Sequence, residues 1–262
     1  MSLTKLKPLL DNAVKRFNKP DFIVNDPISI PHRFTKLQDI EIIAFWVSML
    51  AWGQRKTIIN SANRLVDLMD GAPHDFILNH EEQDRARFAD FKHRTFQYTD
   101  TLYFLEFLQW YYQNNESLEI AFSQHIQADD VHIGNALIGF HDLFFSLADA
   151  PNRTRKHIAT PARKSSCKRL NMFLRWMVRK DDKGVDFGLW NTIKPSQLMI
   201  PLDVHVERIA SRLGLLTRKQ RDWKAVQELT SNLRLLDAND PVKYDFALFG
   251  IGILEKDTKM NR

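Results

Sequence analysis

The sequence predicts an all-α protein, and three observations carry the prediction. Glycine is scarce, 9 in 262 residues. The apolar–polar alternation of a half-buried strand is hard to find anywhere in the chain. Apolar residues instead recur at helical spacing in segment after segment, and Asp, Ser, Pro and Gly stand where such segments begin and end.

Residues 5–17 form the first amphipathic helix, with Leu6, Leu9, Leu10, Ala13, Val14 and Phe17 in register. Pro20, Pro27 and Pro31 punctuate 21–34, which reads as an extended connector. Asp39 stands as the N-cap of a helix from Ile40 to about Trp52 that is apolar almost all round, a pattern that predicts burial in the middle of the fold. A polar break, Gly53–Lys56, leads into a helix carrying Ile58, Ile59, Ala62, Leu65, Val66 and Met69, ended by Gly71-Ala-Pro73. A helix or turn follows at 73–79, then a charged piece, 81–90, and a basic, aromatic stretch, Phe91–Tyr98. Thr99 or Asp100 caps a helix over Leu102–Tyr112, and further helices fit 117–126 and 132–149.

Pro151 and Pro161 bracket a polar, basic loop. Ser165 or Ser166 caps the next helix, whose stripe is Leu170, Phe173, Leu174 and Met177. Residues 180–200 are irregular. Pro201 stops that excursion and Asp203 takes the N-cap position of a helix with Val206, Ile209, Ala210 and Leu213 on one face. Gly214 is placed to end it in a left-handed cap. Asp222 caps a helix carrying Val226, Leu229, Thr230 and Leu233. Asp240-Pro241 reads as a cap followed by proline at the first helical position. The last helix holds Val242, Phe246, Phe249 and Leu254, and 256–262 reads as a frayed tail.

Bulk properties exclude several classes. The length suits one large domain or two small ones. No apolar run reaches the roughly 20 residues of a membrane span, and Met1–Pro8 lacks the apolar stretch of a secretory signal. One cysteine, Cys167, excludes an internal disulfide and any four-cysteine zinc or iron–sulfur site. A cytoplasmic, soluble protein is expected. Glycine-rich phosphate loops, dinucleotide fingerprints and HExxH spacing are missing, so neither cofactor nor metal is expected. Asp203-Val-His205 holds two metal-ligand types, but such a pair at a helix start arises readily by chance.

The net charge is +5, and its distribution says more than its size. Arg153, Arg155, Lys156, Arg163, Lys164, Lys168, Arg169, Arg175, Arg179, Lys180 and Lys183 are opposed locally only by Asp181 and Asp182. Such an excess suits a polyanion, bound through phosphate contacts and counterion release; the other reading is a solvated basic face. Lys168 and Arg169 fall in the first turn of their helix, where the dipole opposes cations. Either they are solvated or an anion compensates them.

Asp203 at a helix start is a good cap, stabilised there by about 0.3–1 kcal/mol. It is also half of a chemical pair. An unprotonated lysine attacks an electrophilic carbon to form a Schiff base, and a nearby carboxylate takes up its proton and stabilises a developing cation. Lys168 and Asp203 each start a helix whose apolar stripe follows. Cys167 has no base near it in sequence and reads as an inert thiol.

The segment Ile200-Pro-Leu-Asp-Val-His-Val-Glu-Arg-Ile-Ala-Ser-Arg-Leu-Gly-Leu215 resembles the aspartate-bearing segment of the helix-hairpin-helix (HhH-GPD) DNA glycosylases, which include endonuclease III and the 8-oxoguanine DNA glycosylases. Lys168-Arg-Leu-Asn-Met-Phe-Leu-Arg-Trp-Met177 is similar to the lysine helix of their bifunctional members, and Phe45–Ile58 to their early helix pair. The likeness covers roughly 38–254. Within that superfamily the chain is similar to a bacterial family without an assigned activity that shares Lys168–Arg179, Pro201–His205 and Asp240–Phe249. It is also similar to the archaeal 8-oxoguanine glycosylase branch, which shares its long lysine-to-aspartate separation.

The resemblance implies Asp203 as catalytic carboxylate and Lys168 as Schiff-base lysine, with Lys164 and Arg169 as neighbouring registers. It implies DNA contacts from Gln54, which enters the base stack, and from Arg55, Lys56, Arg163, Lys164, Ser165, Ser166, Arg169 and His205. It implies two helical lobes with a basic cleft between them: 38–150, and 1–37 with 151–262. The expected activity is base-excision DNA repair by a monomer on damaged double-stranded DNA: glycosylase removal of a base such as an oxidised purine, with AP-lyase chemistry. The alternatives are a non-catalytic nucleic-acid-binding protein and a helical protein whose basic face is only solvated. Trp52, Trp176 and Trp190 are either core or stacking platforms. One departure stands out: Thr160–Lys168, in the place of the family's glycine-bearing hairpin, contains no glycine.

Overall fold

The computed structural model describes residues 3–260. They hold thirteen α-helices: α1 (Leu3–Phe17), α2 (Asp21–Val24), α3 (Leu37–Leu50), α4 (Arg55–Leu68), α5 (Pro73–Asn79), α6 (Glu82–Arg85), α7 (Tyr98–Tyr112), α8 (Glu119–Ser123), α9 (Gly134–Phe144), α10 (Lys168–Val178), α11 (Val204–Leu213), α12 (Trp223–Arg234) and α13 (Tyr244–Met260). Short 3₁₀ turns link several of them. Among the described residues there is no strand, only two isolated bridges, His93 with Phe96 and Ser165 with Asp222. The protein is all-α. No helix of the described residues is long and apolar enough to cross a membrane.

The chain divides into two compact units. One comprises the residues through Phe22, then 127–135, and everything from Thr160; the other comprises Ile23–Ile126 and Ala136–Ala159.

In the second of these, α3 is the centre. Every residue from Ile40 to Leu50 is buried, as its all-round apolar sequence predicts. Phe45 stacks on Phe104 at 5.6 Å and meets Phe140 edge-on, while Phe122 stacks on Phe140 at 3.9 Å. Glu41 is the exception on this helix, a fully buried carboxylate. Tyr112 Oη (2.8 Å), Ser117 Oγ (2.5 Å) and the Leu118 N–H (3.0 Å) donate to it. These bonds stabilise the charge in place of water and tie the loop after α7 to the central helix.

In the first unit, α13 packs against both α1 and α11. Two glycines make the approaches close: a Cβ at Gly250 would meet the Phe17 ring at 2.4 Å, and one at Gly252 would meet His205 Cβ at 2.8 Å. Tyr244 Oη donates to Asp11 Oδ1 at 2.9 Å, and Phe22 meets Phe246 and Phe249 edge-on. The irregular stretch 180–200 closes the end of α10: the N–H groups of Phe187 and Trp190 donate to the carbonyls of Trp176 and Met177 at 2.8 and 2.9 Å, groups that the helix itself leaves open.

Several expected caps are corrected. α3 begins two residues before Asp39, without a side-chain cap, and Asp39 accepts instead from the His74 N–H at 2.8 Å. α7 begins at Tyr98 with Gln97 as its cap; Asp100 lies in the first turn and reaches back to the Gln97 N–H. Neither serine caps α10, whose N-cap is Cys167. Asp240 precedes a 3₁₀ turn without capping it, because Arg179 holds its carboxylate. The connector 21–34 is not extended but turns through α2 and two 3₁₀ turns. The helices expected at 117–126 and 132–149 are shorter, Glu119–Ser123 and Gly134–Phe144. α13 continues through most of the expected frayed tail, to Met260; Asn261 and Arg262 lie outside the described residues.

Candidate functional site

Asp203 caps α11 as its sequence position predicts. Its backbone is extended, and Oδ1 accepts from the N–H groups of His205 (2.8 Å) and Val206 (2.9 Å). Gly214 closes the other end at φ 76. Both backbone bonds fall on one oxygen, so Oδ2 of this half-buried carboxylate is engaged by no donor among the described residues. A metal pair with His205 has no support: His205 packs edge-on against Phe249 at 5.8 Å, and no cluster of three ligand-type side chains occurs among the described residues.

The loop into α10 has the backbone of a glycine turn without the glycines. Lys164 (φ 60) and Cys167 (φ 49) both occupy the left-handed region. The loop is held in that shape from outside. Trp223 donates its N–H to the Lys164 carbonyl at 3.1 Å, Ser165 bridges to Asp222, and Ser165 Oγ accepts from the Cys167 N–H at 3.2 Å. The Ser166 carbonyl accepts from Asn171 Nδ2 at 3.1 Å. A left-handed conformation costs a residue with a Cβ roughly 1–2 kcal/mol. Lys164→Gly is therefore expected to raise unfolding free energy by about 1 kcal/mol, read by urea denaturation.

With no side-chain cap, the first turn of α10 leaves its N–H groups without the usual oxygen partner. Burial lowers the Arg169 guanidinium to about 10, so it stays charged at neutral pH. Lys168 is half-buried and forms no hydrogen bond or ion pair among the described residues. Arg163 and Lys164 are exposed and likewise unpaired. Buried Cys167, its thiol pushed up to about 12 by burial, is inert.

Lys168 and Asp203 share a third group that sequence reasoning did not single out. Asp245, in the first turn of α13, is buried and ion-paired to Arg175 on α10. Burial pushes its carboxyl up to about 7; Arg175 pulls it down, Asp203 and Asp186 push it up, and Lys168 pulls it down. One carboxyl thus lies within electrostatic reach of both the unpaired Lys168 side chain and the capping carboxylate. The three helix starts that carry these groups belong to the same unit.

A pH effect follows. Folding takes up a proton at Asp245 between its ordinary value of 3.8 and about 7. Its stabilising contribution is full below that window and is lost as pH rises through it, by up to about 1.4 kcal/mol per pH unit. Comparing wild type with Asp245→Asn isolates the effect, because half-buried His74 and buried His80, both titrating below the ordinary imidazole value, act equally in both. Urea denaturation from about pH 5 to about pH 7 is expected to show the wild type losing stability relative to the variant as pH rises.

Part of the basic excess of 153–183 is neutralised in the fold, which narrows its sequence reading. Arg175 and Arg179 are 4% and 3% exposed and cannot reach phosphate. Arg175 pairs with Asp186 (3.1 Å) and Asp245, and Arg179 with Asp181 (2.7 Å), Asp186 (3.1 Å) and Asp240 (2.9 Å). Both guanidinium groups lie over the Phe246 ring. In the other unit Arg153 pairs with buried Asp100 at 2.9 Å, and Arg155 covers Phe145. Arg163, Lys164 and Lys168 are the cations near the start of α10 that remain unpaired among the described residues.

Gln54, Arg55 and Lys56 lie in that other unit, at the start of α4, with Gln54 and Lys56 exposed. Gly53 (φ 109) permits this turn: a Cβ there would lie 2.7 Å from the Arg94 guanidinium. Arg94 in turn covers the Trp52 ring at 4.5 Å, and the Trp52 carbonyl accepts from His93 Nε2 at 3.2 Å. Arg94 is an exposed cation beside Gln54 that the sequence reading passed over; its basic, aromatic surroundings at 91–98 were the available signal. Trp176 and Trp190 are core residues, and Trp52 is half-buried.

Residues 26–254 match a family model described as a protein of unknown function (DUF2400), and the chain belongs to that family. No curated protein and no solved structure matches it.

Proposed function

We propose that this member of the DUF2400 family is a DNA repair enzyme of the helix-hairpin-helix glycosylase type, which removes a damaged base and has AP-lyase activity. The observation that supports the reading is that an unpaired Lys168 side chain and a half-engaged Asp203 carboxylate both lie within electrostatic reach of Asp245. The resemblance of both helix starts to the glycosylase motifs adds to it and points to an oxidised purine as the substrate base.

The target nucleotide leaves the stack, as base-processing enzymes require. Nζ of Lys168, as the free amine, attacks C1′, and the base departs with the glycosidic electron pair. Asp203 accepts the amine proton and stabilises positive charge on the sugar. The nitrogen then expels O4′ from C1′, opening the sugar ring to a protonated imine while O4′ takes up the proton that Asp203 holds. The imine acidifies C2′, and loss of a C2′ proton breaks the C3′–O bond so that the 3′ phosphate leaves with its electron pair. Arg163, Lys164 and the open N–H groups of α10 bind phosphate. Gln54, with Lys56 and Arg94 beside it, is the candidate to fill the gap in the duplex.

Borohydride reduction of the protein with abasic-site DNA tests the reading: a covalent adduct at Lys168 is expected, and no adduct at any salt concentration overturns it. Asp203→Asn is the informative variant. Asparagine caps as well as aspartate, so stability should change by less than about 0.5 kcal/mol while adduct formation slows about 10²–10⁴-fold. A second reading, DNA binding without catalysis, is favoured by the unpaired, exposed Arg163 and Lys164 alone. It predicts salt-dependent DNA binding that Lys168→Ala and Asp203→Asn leave unchanged, with no adduct.

A further inference from the structure

One polar side chain in the interior of α10 has no role so far. Asn171 is fully buried, on the face that carries Leu170 and Leu174. Its Nδ2 donates to the Ser166 carbonyl at 3.1 Å, but its Oδ1 is buried with no donor. Buried acceptors are almost always satisfied, and leucine at this position would fill the space without the desolvation cost. An asparagine there needs a donor that arrives.

The donor is one turn away. The bond to Ser166 holds the carboxamide at the N-terminal end of α10, and side chains on a helix lean toward that end. Lys168 precedes Asn171 by three residues, so the two are neighbours on the helix surface. Its ammonium carries three N–H donors and none is used among the described residues. A donor without an acceptor and a buried acceptor without a donor therefore stand three residues apart.

We infer that Asn171 is a positioning residue for Lys168: Oδ1 accepts an N–H of Nζ when the side chain turns inward, fixing the direction of the nitrogen lone pair. Lys168 exchanges between this inward state and an outward, solvated one. The consequence for adduct formation rests on the enzymatic reading above; the contact itself does not.

Two measurements separate them. Competitive acetic anhydride labelling of the DNA-free protein, read by mass spectrometry, reports the accessibility of each lysine. Asn171→Leu removes the inward state, and labelling of Lys168 relative to the other lysines should rise about twofold or more. Asn171→Ser, too short to reach, should do the same and stands in if the leucine variant does not fold by circular dichroism. Unchanged relative labelling of Lys168 in the folded variants overturns the inference whatever the protein does to DNA.

In borohydride trapping, both variants should slow adduct formation at saturating abasic-site DNA by about tenfold or more, with half-saturation unchanged, because mispositioning costs rate rather than binding. Asn171→Asp keeps the acceptor and loses the donor to Ser166. It should stay within about threefold of wild type. A loss as large as that of Asn171→Leu overturns the inference, because the Ser166 bond alone would then be what matters. If wild-type protein forms no adduct, the enzymatic reading fails and labelling alone decides the contact.

Discussion

Lys168→Ala is expected to lower borohydride-trapped adduct formation with abasic-site DNA by about 10³-fold or more, since removing a covalent nucleophile removes the step itself. Its neighbours cannot take over. Arg169 stays charged, and a guanidinium is a poor nucleophile for an imine. Lys164 stands in the approach loop, exposed and in a left-handed turn. Lys164→Ala is therefore the matched control: it should weaken salt-dependent binding and leave the rate at saturating DNA within about threefold. The reverse pattern, loss with Lys164→Ala and retention with Lys168→Ala, would move the nucleophile to the loop. Lys168→Ala removes a cation that opposes the dipole of α10 together with its attraction to Asp245, and the opposed effects should leave stability within about 1 kcal/mol of wild type. An inactive variant that melts close to wild type rules out misfolding as the cause.

Arg179→Ala is expected to be the most destabilising of the substitutions considered. The guanidinium is buried and faces Asp181, Asp186 and Asp240. Truncating it leaves carboxylates in a poorly hydrated site, with Arg175 still paired to Asp186 and Lys243 still acting on Asp240. Breaking a buried pair from one side costs about 3–5 kcal/mol, which for a chain of this size lowers the melting temperature by roughly 10 °C. Thermal and urea denaturation read the loss directly. Arg163→Ala, at an exposed and unpaired position, should stay within about 0.5 kcal/mol of wild type. Burial already raises the Asp240 carboxyl; without Arg179 it is raised further. The deficit should therefore shrink as pH falls and these groups protonate. A deficit independent of pH would show that lost packing of the Arg179 stem on Phe246, not unpaired charge, sets the cost.

These two residues also show what a sequence discloses. Lys168 and Asp203 were readable because each marks a helix start, and the capping geometry of Asp203 depends only on the next three residues. The buried stripes were readable for the same reason: periodicity is local. Arg175 and Arg179 were misread as part of a basic surface because their partners lie 11 and 70 positions away for the one, and 61 for the Asp240 of the other. The misplaced caps have that cause too. Asp39 bonds the His74 backbone, and Asp240 serves Arg179. Local rules nominate a carboxylate for a helix start, and a distant donor claims it. Asp245 stands inside a segment already marked by resemblance, yet its importance comes from burial beside Arg175, which no spacing reveals. The left-handed turn at Lys164 and Cys167 was hidden because glycine, the usual signal, is absent.

The composition of the first unit governs the order in which the chain can fold as it is made. α1 belongs with α13, through Tyr244 on Asp11 and Gly250 against Phe17, yet the bonded pair Asp11 and Tyr244 stand 233 positions apart. Of these two helices α1 leaves the ribosome long before its partner. The second unit ends at Ala159 and is complete while α10 to α13 are still untranslated, so it can fold ahead of the rest. Until α13 appears, the apolar face of α1 has nothing of its own to bury against, and a nascent chain arrested near Ala159 should expose that face to chaperones. The long loop that must close to join them makes their docking a late event, and the candidate site, which needs the start of α13, comes into being only then.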